Sequence, residues 1–300
     1  MSSENWDEFP LDLEAVAPGI GPFPYRPFLE TVWNHRDNPT DRLHIAAIEG
    51  GAAVFVVTDD HIRFAGQSNL TDYHSPLGHN AAEAVAEALS RLPVTTFRFD
   101  SLPEEARATV ELGVEMAGGR FSTTEDEVSA VLDLPDSYDA WLASIGKKER
   151  HEVRRKRRRF EAEFGEIAII QHGSEAIDMF CAMHRTAQGD KGMFMTGGMQ
   201  RYFEDLLDHA GATIHTLECD GVPRANAFGF ETNDGYFYYN SAYDTDAAMA
   251  SPGIVLLASL IEAQIERGAT VFDFLKGDER YKFKHGAQPR QLFVVTGSLP

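Results

Sequence analysis

The stretch that decides the fold runs from Asn240 to Tyr281 and reads NSAYDTDAAMASPGIVLLASLIEAQIERGATVFDFLKGDERY. It continues an aromatic, β-rich run that begins at Tyr236. Ser251 is predicted to cap a helix that begins at Pro252, where a residue without an N–H costs nothing. The apolar positions of this helix continue to Ile265.

The same stretch predicts the end of the helix and the element after it. Gly268 is a helix stop, and Thr270 to Leu275 is typical of a buried strand, so the unit is strand, loop, helix, strand. Small residues at the start of a helix leave several backbone N–H groups unpaired, and such an end suits a phosphate or pyrophosphate. The alternative is that Ser251-Pro252-Gly253 is only a favourable helix start.

The composition narrows the class of protein. A chain of 300 residues has enough material for two domains of ordinary size. No segment approaches the roughly 20 apolar residues that cross a bilayer, and the acidic N-terminus lacks an export pattern, so we expect a cytoplasmic protein without membrane contact. Cys181 and Cys219 are the only cysteines, and we expect both to be buried thiols. The histidines are scattered, so no metal site is predicted.

Charge is distributed unevenly along the chain. The net charge is −20, which opposes general binding to nucleic acid or anionic membranes. Nevertheless, Lys147 to Arg159 holds 9 of the 27 basic residues, on a predicted helix that packs by its apolar side. One interpretation is contact with phosphate or another anion. The other is a solvated face that pairs with the surplus carboxylates, and charge alone leaves both open.

The order of predicted elements occurs twice. In each half, three strands lead to a loop with Ser-Pro, then to a helix and a further strand. Ser75 lies 22 residues before Phe97, and Ser251 lies 21 residues before Phe272. Each phenylalanine belongs to a Phe-x-Phe strand. We interpret the pattern as an internal duplication.

The second half carries a set of motifs over about residues 135 to 290: Trp141-x8-Arg150-x3-Arg154, DKG at Asp190, DGVP at Asp220 with Ala225 after it, YYNSAYD at Tyr238, SPG at Ser251 and FDFLKGDERYK at Phe272. Together they resemble the acetyltransferase domain of CelD-like and FemAB-like members of the GNAT superfamily, in which two GNAT-type domains often occur in tandem. This resemblance implies an α/β (α+β) fold of two tandem GNAT-like domains, each a mixed, mostly antiparallel sheet flanked by helices. We expect a degenerate domain at residues 1–134 and an acyltransferase domain at residues 135–300.

The resemblance also implies where a donor binds. The fourth and fifth strands, here Tyr236 to Tyr243 with Asn240 and Thr270 to Leu275, would splay apart so that a pantetheine arm pairs with the strand edges. The pyrophosphate of acetyl-CoA or another acyl-CoA would lie on the N–H groups of Ser251, Gly253 and Ile254. The chain departs from the usual GNAT loop, Gln/Arg-x-x-Gly-x-Gly/Ala, because only Ser-Pro-Gly stands there.

Acyl transfer defines what a catalytic site must supply. A neutral amine attacks a thioester carbonyl, so the site accepts a proton, stabilises the oxyanion and protonates the leaving thiolate. Tyr243 is the candidate for thiolate protonation, Asp273 is an acceptor candidate, and Lys282 completes the predicted catalytic set. Their ordinary alternatives are a strand aromatic, a carboxylate on the opposite side of the sheet and a surface lysine.

Other charged residues are candidates for binding the acceptor. His184 and Lys191 lie on a helix and loop that would cover the acceptor in such a fold, within HRTAQGDKGMFMTGG, whose glycines are typical of a mobile lid or a plain connection. Further candidates follow the last strand of the motif or belong to the basic run: Lys276, Asp278, Arg150 and Arg154.

Three functions from different classes are compatible with the sequence. The first is an N-acyltransferase that uses acetyl-CoA or another acyl-CoA and acts on the amine of a small molecule or amino sugar. The second is a FemAB-like transferase that uses aminoacyl-tRNA, with tRNA bound through residues 147–159. The third is a non-catalytic GNAT-fold module in polysaccharide or cell-envelope assembly. We expect the first; the acceptor and the oligomeric state are not specified by the sequence.

Overall fold

A computed structural model gives the fold and describes residues 2–3, 5–233 and 235–300. Tertiary contacts divide the chain into two compact units. Unit 1 comprises Met1–Ser129 and Arg290–Pro300, and unit 2 comprises Ala130–Pro289. The last eleven residues, which the sequence places in the second domain, belong to unit 1 because their strand pairs with a strand of that unit, for example at Phe293↔Leu102.

The helices and strands have the following bounds. The helices are α1 Arg26–Asn34, α2 Ala81–Arg91, α3 Glu104–Met116, α4 Tyr138–Ser144, α5 Lys147–Phe164, α6 Ile177–Arg185, α7 Asp190–Phe194, α8 Gly197–His209, α9 Pro252–Glu266 and α10 Arg280–Lys284. The strands are β1 Ser2–Ser3, β2 Arg42–Ile48, β3 Gly51–Thr58, β4 His61–Phe64, β5 Thr96–Leu102, β6 Arg120–Asp133, β7 Ile167–His172, β8 Ala212–Cys219, β9 Val222–Glu231, β10 Gly235–Tyr243, β11 Val271–Lys276 and β12 Gln288–Ser298. Within the described residues, none of the helices has the length and apolar character that a bilayer span requires.

Unit 1 is built on strands in the order β1-β2-β3-β4-β5-β12. The neighbours are antiparallel except β4 and β5, which run parallel. Its core contains several packed aromatic rings, with ring centroids 5.0 Å apart for Phe64 and Phe99 and 5.7 Å apart for Phe55 and Phe99. The predicted order of three strands, loop, helix and strand is confirmed.

Unit 2 has strands in the order β11-β10-β9-β8-β7, and only β10 and β11 run parallel among these neighbours. One face of the sheet packs against α4, α5 and α9, and fully buries Trp141, Phe160 and Phe272. The other face packs against α6 and α8, where the rings of Phe203 and Phe228 lie 4.6 Å apart. The strand, loop, helix, strand unit predicted from residues 240–281 is confirmed.

The details of the deciding stretch also agree with the sequence. α9 ends at Glu266, and Gly268 adopts a left-handed φ of +84°, which is the conformation expected of a helix stop. Cys181 and Cys219 are both buried, as predicted. The edge strand β7 is not predicted, because its pairing with β8 at Ile167↔Cys219 joins segments that are distant in the chain.

Candidate functional site

β10 and β11 diverge soon after they meet. They pair at three residue pairs that end at Phe237↔Asp273, although both strands continue. β9 remains paired with β10 on the other side, with a register shift between Tyr238 and Asn240. The predicted splay is therefore confirmed, and among the described residues the β11-facing edge of β10 beyond Phe237 has no strand partner.

The loop from β10 ends in a left-handed residue that begins α9. A 3-10 turn covers Thr245–Ala250, and Ser251 follows with φ +66°. Its N–H donates to Ala248 O at 3.0 Å, and the Ile254 N–H donates to Ser251 O at 3.1 Å. Ser251 occupies the predicted cap position, but its side chain makes no capping hydrogen bond within the described residues.

The hydrogen bonds of this turn differ from the predicted set of pyrophosphate donors. The N–H groups of Ser251 and Ile254 are already bonded, because the left-handed residue winds the 3-10 turn directly into the helix. Of the three predicted donors, only the Gly253 N–H has no acceptor within the described part of the chain. The start of α9 therefore offers one backbone donor rather than three.

Several predicted residues meet at the end of β10. His184 Nε2 lies 3.1 Å from Asn240 Oδ1, which also accepts the N–H of the next residue. Lys191 Nζ lies 5.9 Å from the ring centroid of Tyr243. A Cβ added to Gly253 would lie 4.0 Å from Tyr243 Cδ1, so the tyrosine also borders the start of α9. The structure thus brings His184, Lys191, Asn240, Tyr243 and Gly253 into one region, which we call the β10-end cluster.

Burial controls the protonation of this cluster. His184 is 1% exposed, and desolvation lowers its pKa, with a further contribution from the charge of Lys191. Because Asn240 Oδ1 only accepts, His184 Nε2 carries the hydrogen, and Nδ1 is an acceptor without a hydrogen-bond partner among the described residues. Lys191 is exposed as a whole residue, but desolvation of its ammonium lowers its pKa. Tyr243 is 38% exposed.

The side chains of Asp273, within β11, and Lys282, within α10, bond instead to the backbone at the end of β11. Asp273 is fully buried, and its Oδ1 accepts the Leu275 N–H at 2.7 Å. Lys282 is 3% exposed; its Nζ donates to the carbonyls of residues 275 (3.1 Å), 276 and 277 (3.3 Å) and lies 3.0 Å from the Glu279 carboxylate. Leu275 has a left-handed φ of +61°. Both side chains therefore stabilise a strained turn, and their part in proton transfer stays a prediction.

The remaining predicted residues lie outside the β10-end cluster. Lys276 is the last residue of β11 and is half-buried, whereas Asp278 lies in the turn after β11 and is exposed. Arg150 Nη1 lies 3.3 Å from the carbonyl oxygen of Leu142 at the end of α4, and Arg154 lies 3.8 Å from Asp139. Arg150 and Arg154 thus face α4.

Sequence reasoning missed a second face of α5. Lys148, Glu152 and Lys156 line a cavity of about 190 Å³ together with Lys284 and His285. Their spacing of four residues along α5 is a signal that the sequence contains. Their partners on α10 could not be found in this way, because α10 lies more than a hundred residues further along the chain.

Comparison with known proteins relates one part of the chain to a family of known fold. Residues 147–283 match the model of a family described as an acetyltransferase (GNAT) domain. A search of curated proteins found no match. Among solved structures, the chain is similar to a conserved protein of unknown function from Bacteroides thetaiotaomicron, with 14% identity, a TM-score of 0.61 and coverage of 96% of this chain and 99% of that one.

Two further structures have the same fold along most of their length. FemX is 10% identical, with a TM-score of 0.60 and coverage of 90% of this chain and 91% of that chain. L-PGS from Bacillus licheniformis is 15% identical, with a TM-score of 0.59 and coverage of 92% of both chains. Together with the family match, they confirm the predicted CelD-like and FemAB-like tandem GNAT fold.

Proposed function

Because the chain carries a GNAT domain at residues 147–283 in a FemAB-like tandem GNAT fold, we propose that it is an N-acyltransferase. It moves the acyl group of acetyl-CoA or another acyl-CoA to the amine of a small molecule or amino sugar. The observation that carries this proposal is the divergence of β10 and β11 beside the start of α9. An exposed strand edge supplies the backbone groups with which the amides of a pantetheine arm can pair.

The donor occupies the space between the diverging strands. Its pyrophosphate lies at the start of α9, where the Gly253 N–H is directed out of the helix. The backbone N–H groups of β10 near its register shift stabilise the oxyanion. Tyr243, partly exposed beside Gly253, protonates the leaving thiolate. The carbonyl carbon therefore lies between β10 and the acceptor amine.

His184 is the group in the β10-end cluster best suited to accept a proton from the amine. Its lowered pKa keeps the imidazole neutral near pH 7, and its Nδ1 is a buried acceptor. Asn240 fixes the ring through Nε2. A histidine held in this tautomer offers Nδ1 as its proton acceptor.

A second candidate donor is aminoacyl-tRNA, which the FemAB-like resemblance implies. The observation that favours it is that five cations of α5 have no ion pair within the described residues, whereas Arg154, Arg155, Arg157 and Arg159 pair with carboxylates. The five are Lys147, Lys148, Arg150, Lys156 and Arg158, of which Arg150 bonds only to backbone carbonyls. An RNA backbone would neutralise such a row of charges.

A thermal-shift measurement separates these donors. A ligand present at 100 times its dissociation constant stabilises the folded state by about 2.7 kcal/mol. We expect acetyl-CoA to raise the melting temperature and deacylated tRNA to leave it unchanged. The reverse result supports the tRNA-dependent function, and no shift with either ligand supports the non-catalytic module.

Two substitutions at Gly253 test the donor site itself. A Cβ at this position meets only Tyr243 Cδ1, at 4.0 Å, so both Gly253→Ala and Gly253→Asp fit without strain. Gly253→Asp puts a carboxylate beside the pyrophosphate and should abolish binding of acetyl-CoA in a calorimetric titration. A carboxylate near a helix start is itself stabilising, by about 0.3–1 kcal/mol, so the variant should remain folded. Gly253→Ala is the neutral control and should bind; equal affinity in all three proteins contradicts the assignment.

A further inference from the structure

The cavity between α5, the start of α9 and α10 has no task in the transfer reaction described above. Its volume is about 190 Å³. A larger cavity of about 640 Å³ shares Glu149 and Lys284 with it. The lining of the smaller cavity consists of Lys148, Glu149, Glu152, Val153, Lys156, Ile254, Lys284 and His285.

Three lysines belong to the lining of this cavity, namely Lys148, Lys156 and Lys284. Among the described residues, none of the three lies within 4.0 Å of a carboxylate. Desolvation lowers the pKa of Lys156, and the charge of Lys284 also lowers it. Like charges around one cavity repel each other, so an anion placed there would stabilise the charged form of all three lysines.

The two carboxylates of the lining have other partners. Glu152 lies 2.8 Å from Arg155, which lowers the pKa of the glutamate. The Glu149 carboxylate occupies the space beside Gly146 at the start of α5, since a Cβ on that glycine would lie 2.6 Å from Glu149 Oε2. A carboxylate in the first turn of a helix interacts favourably with the helix dipole. The two carboxylates of the lining therefore do not fully neutralise the charge of the three lysines.

His285 adds a hydrogen-bond acceptor to the lining. It is 4% exposed, and its Nδ1 lies 2.7 Å from the carbonyl oxygen of Tyr281, so Nδ1 carries the hydrogen. Its Nε2 has no hydrogen-bond partner within the described residues. Burial lowers the pKa of His285, and the charges of Lys156 and Lys284 lower it further, so Nε2 stays an acceptor near pH 7. A ligand that fits the cavity combines a multiply charged anion with a hydroxyl donor.

We infer that this cavity binds a terminal phosphate or pyrophosphate group of a nucleotide, held by Lys148, Lys156 and Lys284, with a ligand hydroxyl donating to His285 Nε2. The inference rests on the proposed function, because the lining includes Ile254. This residue directly follows Gly253, whose N–H is proposed to bind the pyrophosphate of the donor. The α5 and α10 lysines supply the positive charge that the start of α9 lacks with a single unpaired N–H. The nucleotide is the phosphate-bearing part of the acyl donor.

Calorimetric titration with inorganic pyrophosphate tests the cavity without the acyl group. The double variant Lys156→Gln/Lys284→Gln removes two lining charges and keeps most of each side-chain stem. The matched control Lys147→Gln/Arg158→Gln removes two exposed charges of α5 outside the lining. We expect the dissociation constant to rise about 30-fold or more in the lining variant and less than about twofold in the control. Without ligand, the lining variant should melt no lower than wild type, since a repulsion has been removed.

The outcomes separate this inference from the proposed function. Equal loss of pyrophosphate binding in both variants, or none in the lining variant, overturns the cavity assignment. Acetyl-CoA binding that is unchanged in the lining variant overturns it as well and leaves the acyltransferase proposal intact. If the wild-type protein binds pyrophosphate through the lining lysines but does not bind acetyl-CoA, the result supports the cavity assignment and contradicts the proposed donor. If the wild-type protein does not bind pyrophosphate but binds tRNA, and the lining variant loses tRNA binding, the cavity binds RNA and the assignment to the acyl donor is overturned.

Discussion

The two units share an order of elements and differ in what fills the space between their diverging strands. In unit 1, β4 and β5 run parallel and pair at His61↔Thr96 and Ile62↔Phe97, as β10 and β11 do in unit 2. The loop that follows β4 then forms a backbone hydrogen bond with β5. The His74 N–H donates to Ser101 O at 3.0 Å.

The loop of unit 1 is part of its core. Tyr73 is fully buried, its ring centroid lies 5.9 Å from that of Phe23, and the Arg290 guanidinium lies 5.5 Å above its ring. In unit 2 the corresponding loop folds into the 3-10 turn, and Met249 within it is 80% exposed. The loop of unit 1 therefore fills the space beside its parallel strand, whereas the loop of unit 2 leaves the strand edge open. We therefore propose that unit 1 is the degenerate copy and that ligands bind in unit 2.

The largest expected effect comes from exchanging one tyrosine in each loop region for alanine. Tyr73→Ala removes a fully buried ring and should lower the free energy of unfolding by about 3–5 kcal/mol. Tyr243→Ala removes a ring that is 38% exposed and should cost less than about 1 kcal/mol. Urea denaturation of both variants measures the difference.

The same pair separates stability from activity. Tyr243→Ala should lower the rate of acyl transfer strongly, whereas Tyr73→Ala should retain acetyl-CoA binding at temperatures where it remains folded. Comparable losses of stability in the two variants would show that both loops fill their spaces, and the distinction between the units would be wrong.

A smaller effect is expected at the strand ends, which the two units stabilise differently. β5 of unit 1 receives a backbone N–H, from His74, whereas the end of β11 is bonded to the buried ammonium of Lys282. Lys282→Met leaves the carbonyls of residues 275–277 without this donor, and we expect a loss of about 2–3 kcal/mol in the free energy of unfolding. Acetyl-CoA affinity should fall as well, because the turn sets the direction of β11.

Lys147→Met is the control for Lys282→Met, since it removes one exposed charge and should change stability by less than about 0.5 kcal/mol. A stable Lys282→Met protein that binds acetyl-CoA normally but transfers no acyl group would instead support a direct catalytic role for Lys282.

The helices and strands of unit 2 were predicted from the sequence better than the hydrogen bonds and contacts of its site residues. Local signals placed β10, α9 and β11, because aromatic runs, Ser-Pro-Gly and Gly268 act within a few residues of themselves. Hydrogen bonding at the start of α9 was predicted wrongly in part, since the left-handed conformation of Ser251 is not apparent from a residue type that rarely adopts it. The sequence likewise contained no sign that Arg150 faces α4 while Lys156 lies across a cavity from α10, because these contacts depend on packing between distant segments.

The smallest expected effect compares one histidine from each unit by its response to pH. Desolvation lowers the pKa of His184 in unit 2 and of His61 in unit 1, below the value of about 6.5 expected in the unfolded chain. The folded protein therefore binds fewer protons than the unfolded chain as pH falls below about 6.5. This contribution to the free energy of unfolding is fully present above that pH and is lost below it, by at most about 1.4 kcal/mol per pH unit for each proton.

Glutamine at either position removes the titration, and at 184 it can still donate to Asn240 Oδ1. Both His184→Gln and His61→Gln should therefore make the decline of unfolding free energy between about pH 6.5 and pH 5 shallower than in wild type. Only His184→Gln should also change the pH dependence of acyl transfer, because His184 lies in the β10-end cluster and His61 lies in unit 1. Urea denaturation at several pH values and a pH–rate profile measure the two effects. A rate profile that His61→Gln alters and His184→Gln does not would place the reaction in unit 1 and reverse the roles proposed for the two units.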